Sequence, residues 1–176
     1  EIKYTVVETT NVNGYTANVS GSAKDGYVIT NIHTPESVNI EGTKTWNDND
    51  QTTKRPESIT VRLLADGNVY DSKTVTADSN WTYKFTELPK YAAGKEIVYT
   101  VSEDAVPGYI TSVNGNNLIN TITSVKVSKV DITDHKELAG AHIQILDKDG
   151  NIIDEWDSTW EAHEVTGLKT NEQYTL

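Results

Sequence analysis

The chain has 176 residues, 36% of them hydrophobic, with nine Tyr and four Trp, enough for packed cores and too much for a chain disordered throughout. A net charge of −11 repels phosphate backbones and anionic lipid, so neither nucleic acid nor an acidic membrane surface is an expected partner. Cys and Met are both absent, which excludes disulfides and thiolate metal sites. A start at Glu1 reads as a piece of a longer chain; no apolar run approaches the roughly 20 residues of a membrane span, so membrane insertion is not expected, and no sorting or lipidation signal is present.

The first segment, Tyr4-Thr-Val-Val-Glu8, alternates like a strand and sets Glu8 on one face with Ile2, Tyr4 and Val6. Gly14-Tyr15 follows, then Val19-Ser-Gly21, then Tyr27-Val-Ile-Thr-Asn31, where Asn31 shares a face with Tyr27 and Ile29. The series returns about 95 positions later as Tyr99-Thr-Val-Ser-Glu103, Gly108-Tyr109, Val113-Asn-Gly115 and Asn117-Leu-Ile-Asn120. One module type is used in tandem. Residues 1–36 read as the last strands of a first module, 37–123 as a complete module, and 124–176 as the start of a third. The joints His33-Thr-Pro-Glu36 and Thr121-Ile-Thr-Ser124 are short, which points to stiff connections.

In the middle module, strands are expected over 37–46, 58–65, 69–76, 80–86, 96–103, 109–113 and 117–123, all rich in Val, Ile, Thr and Tyr. Ala65-Asp-Gly-Asn68 is a hairpin turn, because Asp-Gly tolerates positive φ. About seven short strands at this spacing predict a β-sandwich. The third module continues with strands over 125–132, 141–147 and 152–156, a turn at 148–151, and a strand under way at 173–176. Sustained helical periodicity is absent, and the fold class is all-β.

Strand parity then singles out polar residues on apolar faces. In Val38, Ile40, Gly42, Lys44, Trp46 the lysine points inward. In Ile97, Tyr99, Val101, Glu103 the glutamate does, and in Leu118, Asn120, Ile122 the asparagine does. The pattern recurs with Glu8 and Asn31 in the first module and with Lys129, after Val125 and Val127, in the third. Any one such residue alone is usually solvent-facing; the repetition is what carries weight. Burial lowers a lysine pKa and raises a carboxyl pKa, so a proton can pass from Lys to Glu. The neutral amine is a nucleophile, the Asn carboxamide is an electrophile that the protonated Glu can polarise, and contact among the three supplies proximity. The product is an intramolecular isopeptide bond with loss of ammonia.

Gly42-Thr-Lys-Thr-Trp46, Pro56-Glu-Ser-Ile-Thr-Val61, Trp81-Thr-Tyr-Lys-Phe85, Leu88-Pro-Lys-Tyr91, Tyr99-Thr-Val-Ser-Glu103, Gly108-Tyr109 and the Asn120 strand together resemble the Cna B-type (CnaB) repeat. Residues 124–176, with Val127-Ser-Lys-Val-Asp131, Leu138-Ala-Gly-Ala141 and Val165-Thr-Gly-Leu168, are similar to the start of a second CnaB subtype. The resemblance implies tandem immunoglobulin-like sandwiches of reversed topology, used as stalks and pilin domains on Gram-positive bacteria. It implies a Lys44–Asn120 cross-link with Glu103 as the catalytic acid, and orphaned half-sites at Glu8 with Asn31 and at Lys129. A bulge in the last strand would move the acceptor to Asn117. The half-modules at the two ends could also complete each other between chains, head to tail.

The expected role is therefore a stalk segment of an adhesin or pilin, extracellular and cell-wall anchored through parts outside this piece. Its partners are neighbouring modules of the parent chain, with host matrix or glycans met through other domains. It is not an enzyme in the turnover sense, since its own side chains are consumed, and no cofactor is expected. The alternative is a binding module for a host ligand or carbohydrate, using Trp156, Trp160 or loop tyrosines; an accessory domain of a polysaccharide enzyme is a third class. Asn47-Asp-Asn-Asp50 lacks the glycine and final glutamate of a calcium loop and reads as an acidic turn. The four His show no metal spacing, and no metal is expected.

Overall fold

The structure is a computed structural model that describes every residue except 1, 11, 13, 34 and 94. In chain order the strands are β1 (Tyr15–Ser22), β2 (Gly26–His33), β3 (Ser37–Asn47), β4 (Ser58–Ala65), β5 (Asn68–Thr76), β6 (Thr82–Pro89), β7 (Tyr91–Ala92), β8 (Lys95–Glu96) and β9 (Tyr99–Glu103). They continue as β10 (Tyr109–Asn114), β11 (Asn117–Ile122), β12 (Ser124–Val127), β13 (His142–Asp147), β14 (Ile152–Asp157), β15 (His163–Thr166) and β16 (Tyr174–Thr175). Two 3-10 turns, Thr52–Lys54 and Ala77–Ser79, interrupt them. The described residues hold no α-helix, so no helix is long and apolar enough to cross a membrane.

By compactness the chain forms two units, one of residues 1–40 and 85–98, the other of 41–84 and 99–176. In the first, β1 and β2 form an antiparallel hairpin with Ala17 opposite Asn31. Tyr4–Glu8 is not a strand here, contrary to its alternation; it precedes the hairpin as irregular chain, with the Tyr27 hydroxyl donating to the Tyr4 carbonyl at 2.9 Å. Lys90 and Glu36 form an ion pair at 2.8 Å. The expected joint His33–Glu36 includes Thr34, which lies outside the described residues.

In the second unit two sheets face each other. One has the order β10-β11-β3-β6 and the other β5-β4-β9. Inward residues alternate along β4 as Ile59, Val61 and Leu63, with Val75, Val101 and Leu118 buried beside them. Strand β3 runs parallel to β11, pairing Lys44 with Leu118 and Trp46 with Asn120. The other neighbour of β11 is antiparallel β10, which sets Thr111 opposite Asn120. Gly42 is required where β3 passes the β10–β11 turn: a Cβ there would collide with the Asn116 carbonyl and the Tyr83 hydroxyl, which hydrogen-bond to each other.

Several boundaries moved for identifiable reasons. β6 starts at Thr82 because Asn80 and Trp81 are both left-handed, with φ of 51° and 55°. The strand expected over 96–103 begins only at Tyr99. The one expected over 125–132 stops at Val127, and an Asx turn follows in which Thr133 N–H donates to Asp131 Oδ1 at 2.6 Å. Beyond Thr123 the chain forms the pairs β12–β15 and β14-β13-β16 around Ile145 and Val165. The joint is bonded on both sides: Thr123 N–H donates to Gly108 O and its hydroxyl to Leu168 O, while Gly167 N–H donates to Thr123 O.

Candidate functional site

The parity of β3 holds in space. Lys44 lies under the sheet on the same face as Ile40 and Trp46 and is 4% exposed as a residue. Its Nζ donates to Glu103 Oε2 at 3.2 Å, and neither side chain has any exposed surface. Asn120 is fully buried, and its Nδ2 donates to the other oxygen, Glu103 Oε1, at 3.2 Å. Glu103 belongs to the β5-β4-β9 sheet and Lys44 and Asn120 to the facing one. The carboxylate is thus the only member of the three that reaches across the sandwich.

An ion pair out of water is costly unless its remaining hydrogen-bonding capacity is filled. Here a further donor is present: Thr111 Oγ1 sits 3.2 Å from Glu103 Oε2. Burial pulls the Lys44 amine down from 10.5 to about 8; the charge and hydrogen bond of Glu103 oppose that shift without cancelling it. The amine also lies 4.3 Å from the centroid of the Trp46 ring, which meets Trp81 and Tyr109 edge-on. Among the described residues two buried polar atoms of this region lack a partner, Asn120 Oδ1 and Trp46 Nε1. A carboxamide oxygen without a donor in a dry site is an acceptor waiting for one. A half-turn about Cβ–Cγ would present Oδ1, in place of Nδ2, to Glu103.

The alternative acceptor, Asn117, is elsewhere. Its Oδ1 receives Thr43 N–H and Thr43 Oγ1, both at 3.0 Å, and fastens the β10–β11 turn to β3. The β10–β11 register runs without a bulge from Tyr109 to Asn117, so Asn120, not Asn117, meets Glu103.

The half-site of the first unit repeats part of this arrangement. Asn31 Nδ2 donates to Glu8 Oε1 at 3.3 Å, while Glu8 Oε2 is buried with no partner among the described residues. A cavity of about 120 Å³ opens beside them, lined in part by Ala17 and Tyr15. Lys129 lies half-buried after β12, with its backbone N–H donating to Glu137 Oε2 at 3.2 Å.

Two features were not anticipated from the sequence. Thr111 shares an inward parity with Tyr109, a signal that was available and unused. The stretch 47–50, read as an acidic turn, hides a buried carboxylate: Asp48 accepts Arg55 Nε at 2.7 Å, Arg55 Nη2 at 2.6 Å and the Tyr109 hydroxyl at 3.0 Å. The Arg55 hydrogen bonds hold Asp48 below the usual carboxylate range, and burial pushes the Tyr109 phenol up to about 12. This knot secures the end of β3 just beyond Trp46.

The Cna protein B-type domain matches residues 40–121, and a prealbumin-like fold domain matches 123–176. The collagen adhesin of Staphylococcus aureus is 46% identical over 129 residues, 73% of this chain and 11% of that protein. The solved structure of two B repeat units of the S. aureus collagen-binding protein is 36% identical with a TM-score of 0.59, covering 98% of this chain and 51% of that one. A single B repeat unit of the same protein is 34% identical with a TM-score of 0.50, covering 80% of this chain and 84% of that one.

Proposed function

The chain belongs to the Cna protein B-type domain family, and from that premise we propose that it is a stalk segment of an extracellular surface adhesin, reinforced by a Lys44–Asn120 isopeptide bond. The observation that carries the reading is the buried contact of Glu103 with both Lys44 Nζ and Asn120 Nδ2. In the proposed reaction a proton passes from Lys44 to Glu103, and the Nζ lone pair attacks Asn120 Cγ while Glu103 donates to Oδ1. The Cγ–Nδ2 bond breaks, and Nδ2 leaves as ammonia. Of the two protons lost by Nζ, one goes to the departing nitrogen; the other stays on Glu103 or leaves with the ammonia as ammonium. Site closure between packed sheets supplies the proximity.

The topology gives the bond a mechanical use. The chain enters this module on β3 and leaves it on β11, and the two strands are parallel neighbours. Pulling the ends shears their hydrogen bonds. A covalent tie between them carries the load and spares the roughly 76 residues between from unravelling, and it constrains the unfolded chain by about 4 kcal/mol in the loop-entropy account. The collagen adhesin relative supports an adhesin setting; the wall anchor and the host contact belong to other parts of a longer protein in this reading.

Pulling single molecules between their ends tests it. Wild type should lack the extension of about 250 Å that 76 residues would release, and Lys44→Ala should show it. Full extension of wild type would refute the load-bearing role. A second reading, direct recognition of a host glycan, is favoured by Trp160, which is 73% exposed beside a cavity of about 400 Å³ also lined by Asp134 and Lys136.

A further inference from the structure

We propose that Thr111 is a positioning residue of the cross-linking site, anchoring Glu103 while both reactants move; this rests on the reading of Lys44, Glu103 and Asn120 given above. Three adjacent strands of one sheet each supply one donor to the carboxylate that crosses from the other sheet. β3 supplies Lys44, β11 supplies Asn120 and β10 supplies Thr111, the last directly opposite Asn120. Two of these donors are reactants. Lys44 Nζ must leave Glu103 Oε2 for Asn120 Cγ, and Asn120 Nδ2 must depart altogether. Of the carboxylate's three donors among the described residues, only Thr111 is not consumed.

A hydroxyl suits this task because it can both donate and accept. Beside the carboxylate, Thr111 Oγ1 donates to Oε2. While the Lys44 proton rests on Oε2 the same hydroxyl turns and accepts it, and it donates to Oε2 again once Glu103 has passed its proton to Asn120 Oδ1. The acid therefore stays in place across the proton transfer, at the distance from which it must reach Asn120. A valine of nearly the same shape fills the site but loses the anchor.

The first unit contains the contrast. Counting from Gly-Tyr, the residue equivalent to Thr111 is Ala17, and it too lies opposite its asparagine. There the acid and carboxamide still meet at 3.3 Å, but the other acid oxygen, Glu8 Oε2, is buried without a partner among the described residues. The acid–acceptor contact thus forms without a hydroxyl; what the hydroxyl adds is an occupant for the second oxygen, where the proton arrives.

The test uses the whole chain made by cell-free synthesis, quenched at intervals and weighed intact. Thr111→Val should slow ammonia loss by about tenfold, less than the roughly 10²–10⁴-fold that loss of the acid–base group itself would cost, with a circular-dichroism spectrum like that of wild type. Thr111→Ser should restore the rate to within about twofold. Thr111→Val keeping pace with wild type overturns this proposal alone. So does Thr111→Ser reacting as slowly as Thr111→Val, which would mark a packing effect. A wild type that never loses ammonia overturns the underlying cross-link along with it.

Discussion

Glu103 and Glu8 each hold a carboxamide through one oxygen, at 3.2 Å and 3.3 Å, and differ in what meets the other. Glu103 Oε2 has a lysine and a threonine; Glu8 Oε2 has no partner among the described residues, with an alanine where the threonine would stand. The acid–acceptor contact is therefore a property of the hairpin and the segment before it. In the first unit it is present with no lysine bonded to the acid among the described residues. What the lysine-bearing strand adds is the proposed nucleophile and the closure of the site, since Asn120 is fully buried while Asn31 is exposed.

The largest expected effect separates the two carboxylates. Glu103→Ala should abolish ammonia loss. It should forfeit about 4 kcal/mol of loop constraint and strand Lys44 without a counter-charge, at a further cost of about 3–5 kcal/mol. Glu8→Ala should leave the mass of the chain unaffected and shift stability by no more than about 1 kcal/mol. Denaturant unfolding of the two variants beside wild type reads both numbers, and similar losses would erase the contrast.

A smaller effect appears on the alkaline side. The neutral amine and protonated carboxyl together carry as many protons as the ion pair, so the reactive fraction stays constant until the pair loses a proton. With Lys44 at about 8, the rate of bond formation should be level from about pH 6 up to that value. Above it the rate should fall roughly tenfold per unit. Mass measurements on freshly made chain across pH 6–10 would show this limb; a rate that climbs through pH 8 would mean that Glu103 does not need its proton.

The smallest effect builds the missing contact. Ala17→Thr should place a hydroxyl beside the Glu8 oxygen that has no partner among the described residues and raise stability by about 0.5–1.5 kcal/mol. Thermal melting detects it, and a loss of stability would mean that the geometry around Thr111 is not reproduced around Ala17.

Much of the site was legible because a two-residue period reports which side a residue faces. Lys44, Glu103 and Asn120 were placed by that parity, and each is buried where it pointed. Parity does not say whether a strand finds a neighbour, which is why Tyr4–Glu8 alternates but does not join a ladder. Nor does it foresee a turn whose ion pair forms only after folding: the 3-10 turn at Thr52–Lys54 brings Arg55 back onto Asp48, and no local pattern announces that contact. Thr111 was overlooked for a different reason, since an inward threonine in a strand is unremarkable until its hydroxyl is seen on the acid.

The most direct measurement is the intact mass of the chain beside that of Lys44→Ala, followed by digestion to locate any joined peptides. The account predicts a wild-type mass one ammonia below the sequence value, a fragment joining the segments around Lys44 and Asn120, and a variant at full mass. A wild type at the full sequence mass would contradict it, leaving Lys44 and Glu103 as a buried ion pair and nothing more.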